Sequence, residues 1–513
     1  MKAEKVQIYN HRNIRMKMRW LLSIVIVSAG CFISAYSDTK NIKDAKPASG
    51  PPNIILIVGD DQGYADLNYK GLVNDVSTPN LDKLAMNGIT FTNAYVTAPI
   101  CNASRAGLIS GSYHQRFTGY WYGGKGLENE QFPTIAEMLK TKGYRTGYVG
   151  KFHYGKNSTP DSRNFPLNHG FDSFYGSSGG RKHYLIHNEQ AQNDFMALKK
   201  AFKTKGPSLE MGGMWVNDKK VDQEGFSTEL FGQKARDFIQ ENQQSTFFLQ
   251  LSFNAVHNFT HQLPESHLKH HKLKGYRDWD PATENYKDWY RGGRFPNNPE
   301  GREHYLGQLH FMDKEIGQVL DALVKHQLSD NTIVIYISDN GGSTPIYANN
   351  GELKGSKYTL YEGGIRIPFI VYGGERYLNS KTFDQVVSTM DLFPTILMAA
   401  GIKIPGHIDG IDLTPWLTSD KNVRKERVLI WDTGYEVAVR KGKWKYHIAY
   451  NDQHARIQMV QLQVGESLFN LDKDPGEKVN LITDHPEIAN ELKSIHQSWL
   501  ANADSKPKRR VKK

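Results

Sequence analysis

Cysteine is almost missing from this chain: 513 residues hold two, Cys31 and Cys101. Cys31 falls in a leader-like segment, which leaves Cys101 without a partner and excludes a disulfide scaffold. Long apolar runs are as scarce. Only "WLLSIVIVSAGCFISA" (20–35) stands out, and it is short for a spanning helix. Internal repeats are lacking too, so solenoid and propeller architectures are not expected. The formal charge of +10 sits outside the body of the chain. Residues 1–37 contribute +5 and the closing "KPKRRVKK" contributes +6, which leaves the rest at −1. A body so close to neutral does not suit nucleic acid, and none is expected as a partner.

The apolar run follows a segment with six basic side chains and one acid, so residues 1–37 read as a secretory signal. Met16 and Met18 are alternative starts. "SAGC" (28–31) resembles a lipoprotein box, which gives two expectations: a lipid anchor at Cys31, or ordinary cleavage near Ala35. Either one places the protein outside the cytoplasm, in the periplasm or at the cell surface. Residues 38–52 form a polar linker and 506–513 a basic tail.

What is abundant is the alternation of buried strands and helices. "NIILIVGDD" (53–61), "TGYVGK" (146–151), "TFFLQLSFNA" (246–255) and "TIVIYISDNG" (332–341) read as parallel strands. "LDKLAMNG" (81–88), "FPTIAEMLKTKG" (132–143), "STELFGQKARDFIQEN" (227–242) and "YLGQLHFMDKEIGQVLDALVKHQ" (305–327) read as helices between them. The predicted fold is α/β, a large, mostly parallel sheet with helices on both faces, over 53–415. Beyond it, "VLIWDT", "EVAVRKGKWKYHIAY" and "ESLFNLDKDP" predict a smaller antiparallel sheet, closed by a helix over 486–500, within a C-terminal subdomain at 416–505.

In such sheets ligands bind beyond the carboxyl ends of the strands, and two strands end there in acid. One delivers Asp60 and Asp61, the other Asp339 and Asn340. Adjacent carboxylates at the end of an apolar strand repel each other unless a cation compensates, and four oxygen-bearing side chains suit calcium or magnesium rather than zinc. Cationic residues gather at other strand ends: Lys151 and His153 in "GKFHYG", His257 in "LSFNAVH", Lys357 in a Gly-rich loop and Arg105 four residues after Cys101. Brought to one edge beside a metal ion, they would cradle a tetrahedral oxyanion, sulfate or phosphate.

The stretch "CNASRAGLISG" (101–111) resembles the signature of the type I sulfatases, which belong to the alkaline-phosphatase-like superfamily. The resemblance continues in order through "NIILIVGDD", "GKFHYG", "HGFDSFYG", "SDNGG", "YEGGIRIPFIVYGG" and "LFNLDKDPGEKVNL", over roughly 53–481. Asn102 and Ala103 stand where the family has small residues and often proline, and "GKFHYG" replaces a commoner Trp and Leu. The resemblance implies a sulfuric ester hydrolase in which Cys101 is oxidised to formylglycine (3-oxoalanine) by a formylglycine-generating or anaerobic sulfatase-maturating enzyme. It implies calcium over magnesium, with Asp60, Asp61, Asp339, Asn340 and the modified Cys101 as ligands. Asp339 would be the base for the attacking hydroxyl, with Arg105 and Lys151 holding that hydroxyl and the sulfate. His153 would assist collapse of the sulfated hydrate, and His257 with Lys357 would assist departure of the alcohol.

For the substrate, "YWYGG" (120–124), "GGRKHYLIH" (179–187) and 271–296 combine aromatic and basic residues, as stacking on a sulfated sugar requires. The same aromatics would equally serve to pack loops against the sheet. Arg181 and His183 are the expected specificity residues, and an algal galactan or a glycosaminoglycan the expected polymer, which makes polysaccharide degradation the setting. Two alternatives stand beside this reading: a phosphodiesterase or phosphonate monoester hydrolase of the same superfamily, and an inactive glycan-binding lipoprotein.

Overall fold

Ten strands build the central sheet. In chain order they are β1 (Asn53–Gly59), β2 (Ile89–Tyr95), β3 (Arg145–Phe152), β4 (Ser173–Ser178), β5 (Met214–Val216), β6 (Lys219–Val221), β7 (Phe247–Ser252), β8 (Thr332–Ser338), β9 (Phe369–Tyr372) and β10 (Lys381–Ser388). Their spatial order is β10-β2-β9-β8-β1-β7-β3-β4-β5-β6. The computed structural model describes residues 50–501 and 507, apart from 157, 180–182, 204–213, 276–279, 281, 286–287, 290–297, 420–425 and 457–458. The leader with Cys31, Arg181, most of the linker and nearly all of the basic tail lie outside the described residues.

The middle of the sheet is parallel, β8-β1-β7-β3-β4, and β9 turns it antiparallel on one side as β5 does on the other. All seven residues of β1 are buried. Alternation sends Ile54, Leu56 and Val58 to one core and Ile55 and Ile57 to the other, so a continuous apolar run is what a strand covered on both faces requires. Helices α1 (Pro79–Asn87), α4 (Ser227–Glu241) and α6 (Gly301–Lys325) cover the second core. Helices α2 (Cys101–Ser110), α3 (Ile135–Lys140) and α7 (Leu392–Ala399) cover the first. A short helix, α5 (Glu265–His271), precedes α6, and α8 (Pro486–Ala501) follows the second sheet.

The predicted strands are all present; the two that carry the acids end earlier than read, whereas β3 runs one residue further, to Phe152. β1 stops at Gly59 and β8 at Ser338, which puts every acid of the two pairs in the turns beyond the ladder. The helix read over 132–143 is only α3, because Thr134 caps it: its side chain accepts from Glu137 N while Glu137 reaches back to the Thr134 amide. The second sheet is four-stranded and antiparallel, β11 (Val428–Asp432), β12 (Glu436–Lys441), β13 (Trp444–Ala449) and β14 (Gly465–Asn470). Its middle run resolves into a hairpin turned at Gly442, whose φ of +56° a side chain would resist.

Candidate active site

Parallel pairing of β1 with β8 in the register Gly59↔Ser338 sets the two acid-bearing turns side by side. The Asp339 amide donates to Gly59 O at 3.0 Å, the Asp61 amide to Asp339 Oδ1 at 3.3 Å, and Asn340 Nδ2 to Asp61 Oδ1 at 2.7 Å. Asp61 takes a left-handed backbone, φ +62°, which lets consecutive carboxylates leave the strand end in different directions. All four side chains are at most 1% exposed.

Cys101 opens α2, and Arg105 follows one turn later on the same side of the helix. Arg105 Nε donates to Asp339 Oδ2 at 2.8 Å, and its Nη1 to Lys151 O at 3.1 Å. Lys151, at the end of β3, pairs with Asp60. Lys357 Nζ grips both oxygens of Asp61 at 2.6 and 2.8 Å and lies 3.6 Å from Cys101 Sγ. His257 Nε2 lies 3.5 Å from Asp61 Oδ2. Residues from six separate stretches of chain thus meet in one buried cluster. Three carboxylates face three permanent cations, so their formal charges cancel.

Burial pushes the Asp60 carboxyl up to about 7, with Asp339 adding to the effect and Lys151 opposing it. Burial acts in the same sense on Asp339, but Arg105, Lys151 and Lys357 outweigh it and hold the group below the ordinary carboxylate range. The Cys101 thiol is pushed up by burial, which Lys357 and Lys151 only partly offset. Reactive thiols have lowered pKa values, so an unmodified Cys101 is not an activated nucleophile.

Two oxygens of the cluster, Asp60 Oδ1 and Asn340 Oδ1, are buried without a hydrogen-bond partner. Such atoms are rare and costly unless something else satisfies them. Asp60, Asp61 and Asp339 each bring an oxygen within 4.8 Å of the other two. An oxygen-only donor set of this kind fits a hard divalent cation.

The other expected residues sit around this cluster. His153, two residues past Lys151, is buried and packs edge-on against Tyr122 at 5.6 Å. His183 is buried as well, stacked on Phe259 at 4.9 Å, with Nδ1 2.7 Å from Gln262 Nε2. Phe259 is two residues beyond His257, so His183 belongs to the surroundings of that histidine. Arg181 is not described. Of the predicted aromatic platforms, "YWYGG" gains partners that the linear order does not show. Trp121 packs against Tyr358 at 5.7 Å and Tyr435 at 5.2 Å, and both Trp121 and Tyr358 pack against Ala98, Ile100 and Ala103 beside Cys101. Tyr358 follows Lys357 directly in a left-handed backbone of φ +74°, and Tyr435 lies in the turn between β11 and β12 of the second sheet. Their adjacency to Lys357 and to an extended strand was the available signal.

Comparison with known proteins agrees over nearly the whole chain. A family model described as Sulfatase matches residues 52–402, and one described as N-sulphoglucosamine sulphohydrolase, C-terminal, matches 355–503. Mouse arylsulfatase J is 29% identical, over 88% of this chain and 76% of its own length. An N-acetylgalactosamine-6-O-sulfatase of Bacteroides thetaiotaomicron is 28% identical, over 93% and 98%. Among solved structures, Ps i-CgsB in complex with k-i-k-neocarrahexaose superposes with a TM-score of 0.73 at 28% identity, covering 89% of this chain and 94% of that one.

Proposed function

Because the chain belongs to the sulfatase family, we propose that it removes sulfate from a sulfated carbohydrate, using formylglycine made from Cys101 and a divalent cation, calcium in the first instance. The observation that carries this reading is the buried contact of Cys101 with Lys357 and the carboxylate cluster, in which the thiol itself is held protonated. The relatives named for N-acetylgalactosamine sulfate and the similar structure holding a neocarrahexaose support a sugar as the alcohol. The apolar run after a basic segment supports export to the periplasm or cell surface.

An aldehyde hydrate at residue 101 would offer one hydroxyl as nucleophile and a second for turnover, and Asp60, Asp61, Asp339 and Asn340 would hold an ion that supplies positive charge at the sulfate oxygens. The chain's own residues do the rest. Asp339, kept ionised by Arg105, accepts the proton of the attacking hydroxyl. Arg105 and Lys151 face the anion as permanent charges. Burial disfavours the charge of Lys357, but Asp61 outweighs it and keeps the ammonium protonated. It steadies the oxygen of the departing alcohol, which takes its proton from His257. His153 assists release of the sulfate.

The direct test is sulfate release from a panel of sulfated sugars alongside phosphate diesters and phosphonate monoesters. Preferential turnover of the sulfated sugars is expected, and turnover confined to phosphorus esters would overturn the reading. Binding of sulfated glycans without turnover by protein carrying the aldehyde would establish a glycan-binding role instead. His183→Ala and Arg181→Ala are expected to reorder preference within the sugar panel, and an unchanged ranking would remove both from specificity.

Removing divalent cations with a chelator is expected to abolish turnover, and calcium to restore it. Calcium should also raise the thermal midpoint, since a ligand at a hundred times its dissociation constant adds about 2.7 kcal/mol to stability. Differential scanning calorimetry of wild type and Asp60→Asn reads the second effect without any substrate, and an equal calcium response in both would place the ion elsewhere.

A further inference from the structure

Away from the strand ends, α5 and α6 bring together four histidines that the sulfatase chemistry does not use. His267 and His271 are one turn apart on α5, with ring centroids 4.3 Å from each other. His310 on α6 lies 6.0 Å from His267 with its ring nearly parallel, and His270 lies 4.8 Å from His271. None of the four imidazole rings takes part in a hydrogen bond or ion pair among the described residues. His267 is half-buried, whereas His270, His271 and His310 are exposed.

No carboxylate or carbonyl is hydrogen-bonded to these rings among the described residues, and Asp313, which lies near His310, is taken up by Asn80 and the Leu81 amide. The nearest acid on α5, Glu265, is engaged with Lys269 at 2.7 Å. Helix spacing favours a shared ligand instead: positions i and i+4 set two imidazoles on one face, and α6 delivers a third from across the seam. The seam is also shaped for His267. A Cβ at Gly307, one turn before His310, would sit 2.9 Å from His267 Nε2 and 2.6 Å from Leu263. Glycine inside a helix costs about 1 kcal/mol relative to alanine, and here it admits the imidazole between the helices.

We propose that His267, His271 and His310 form a second metal site, for a divalent first-row transition ion that prefers imidazole, such as zinc or nickel. This site is chemically unlike the all-oxygen cluster, so the two sort ions by ligand softness. At zinc–nitrogen distances of about 2.0–2.1 Å in tetrahedral geometry, imidazole centroids stand roughly 5 Å apart. The observed 4.3 and 6.0 Å bracket that spacing. The ring nitrogens do not all lie within 4.8 Å of one another as they stand, so binding requires the exposed His271 and His310 side chains to rotate towards His267. The bound ion ties α5, which follows the segment carrying His257, to the long α6 of the core.

The test is calorimetric titration of the full chain with Zn2+ and with Ni2+ at neutral pH in excess calcium. Cys101→Ala serves as the background, so that the Asp60–Cys101–His257 group cannot compete. One saturable equivalent is expected. His267→Ala and His310→Ala should each weaken it by at least the roughly tenfold that losing even an outer-shell partner costs. His326→Ala, on a half-buried histidine past the end of α6, should leave it unchanged. The metal should raise the thermal midpoint of the parent and not of the His267→Ala, His310→Ala double variant, whose fold is checked by circular dichroism. Absence of saturable binding overturns the proposal. So does binding indifferent to His310, which would reduce the site to a pair on one helix.

Discussion

Cys101→Ala is expected to lower kcat for sulfate release by on the order of 10⁴-fold or more, the scale of losing a covalent nucleophile, while leaving the fold intact. Cys101 is 1% exposed at the first position of α2, where the backbone is set by the helix and by packing of Ala98, Ile100 and Ala103. Alanine keeps that geometry and removes one sulfur atom from a well-supported site. It also leaves Arg105 on Asp339 and Lys357 on Asp61, because neither contact passes through the thiol. Activity measured by ion chromatography of released sulfate should vanish with unchanged near-UV circular dichroism. Mass spectrometry of the wild-type peptide carrying Cys101 should show loss of the sulfur and an aldehyde reactive with a hydrazide. Retained turnover in the alanine variant would sink the mechanism.

The largest expected loss of stability comes from Lys445→Met, at about 3–5 kcal/mol, the cost of stripping one partner from a buried ion pair. Lys445 on β13 of the second sheet is fully buried, with Nζ 2.9 Å from both Glu362 and Glu477. Burial pushes the Glu477 carboxyl up to about 7, with Lys445 opposing it and Glu362 adding to it. On Glu362 burial is outweighed by Lys445, Arg440 and Arg366, which hold that group down at about 2. Without the lysine, two buried carboxylates confront each other, and Glu477 gives up its charge first. The folded wild type already binds more protons than the unfolded chain between the unfolded pKa of 4.5 and about 7, and losing the lysine extends that window upward in the variant. Stability therefore rises as pH falls through that window. Urea denaturation at two pH values checks this: the gap to wild type should be narrow near pH 6, where Glu477 is protonated in both, and wider near pH 8.5, where only the wild type has ionised it. Adding Glu477→Gln to the methionine variant should recover part of the loss at neutral pH. An equal gap at both pH values would mean that the lysine's role is packing alone.

The legible parts of the site were those where one short stretch carries both an element and its chemistry. "NIILIVGDD" and "TIVIYISDNG" name a buried strand and its acids together, and adjacent parallel pairing does the rest. The flanks of the sheet were not legible. β9 and β10 pair with β2 from nearly 300 residues away, and "KTFDQVVS" carries too few apolar residues to declare itself. The same holds for Glu436, which takes hydrogen bonds from His447 at 2.7 Å and His454 at 2.5 Å beneath Trp121 and Tyr435. Nothing local marks a glutamate on a hairpin as the anchor of two histidines. The left-handed turns at Asp61 and Tyr358 are set by tertiary neighbours, since neither residue type demands them.

The pairing of Lys357 with Asp61 and of Lys151 with Asp60 has a thermodynamic consequence. Lys357 holds both oxygens of Asp61, so an ion bound by that carboxylate in the proposed site would displace the ammonium, whereas Asp60 keeps Oδ1 open beside Lys151. An ammonium so displaced is left seeking an anion, and a sulfate ester is one. Ion and ester are therefore positively cooperative ligands: each should tighten the other by the same factor, as linkage demands. The apparent affinity for calcium would then read higher in the presence of a non-hydrolysable sulfated sugar than in its absence.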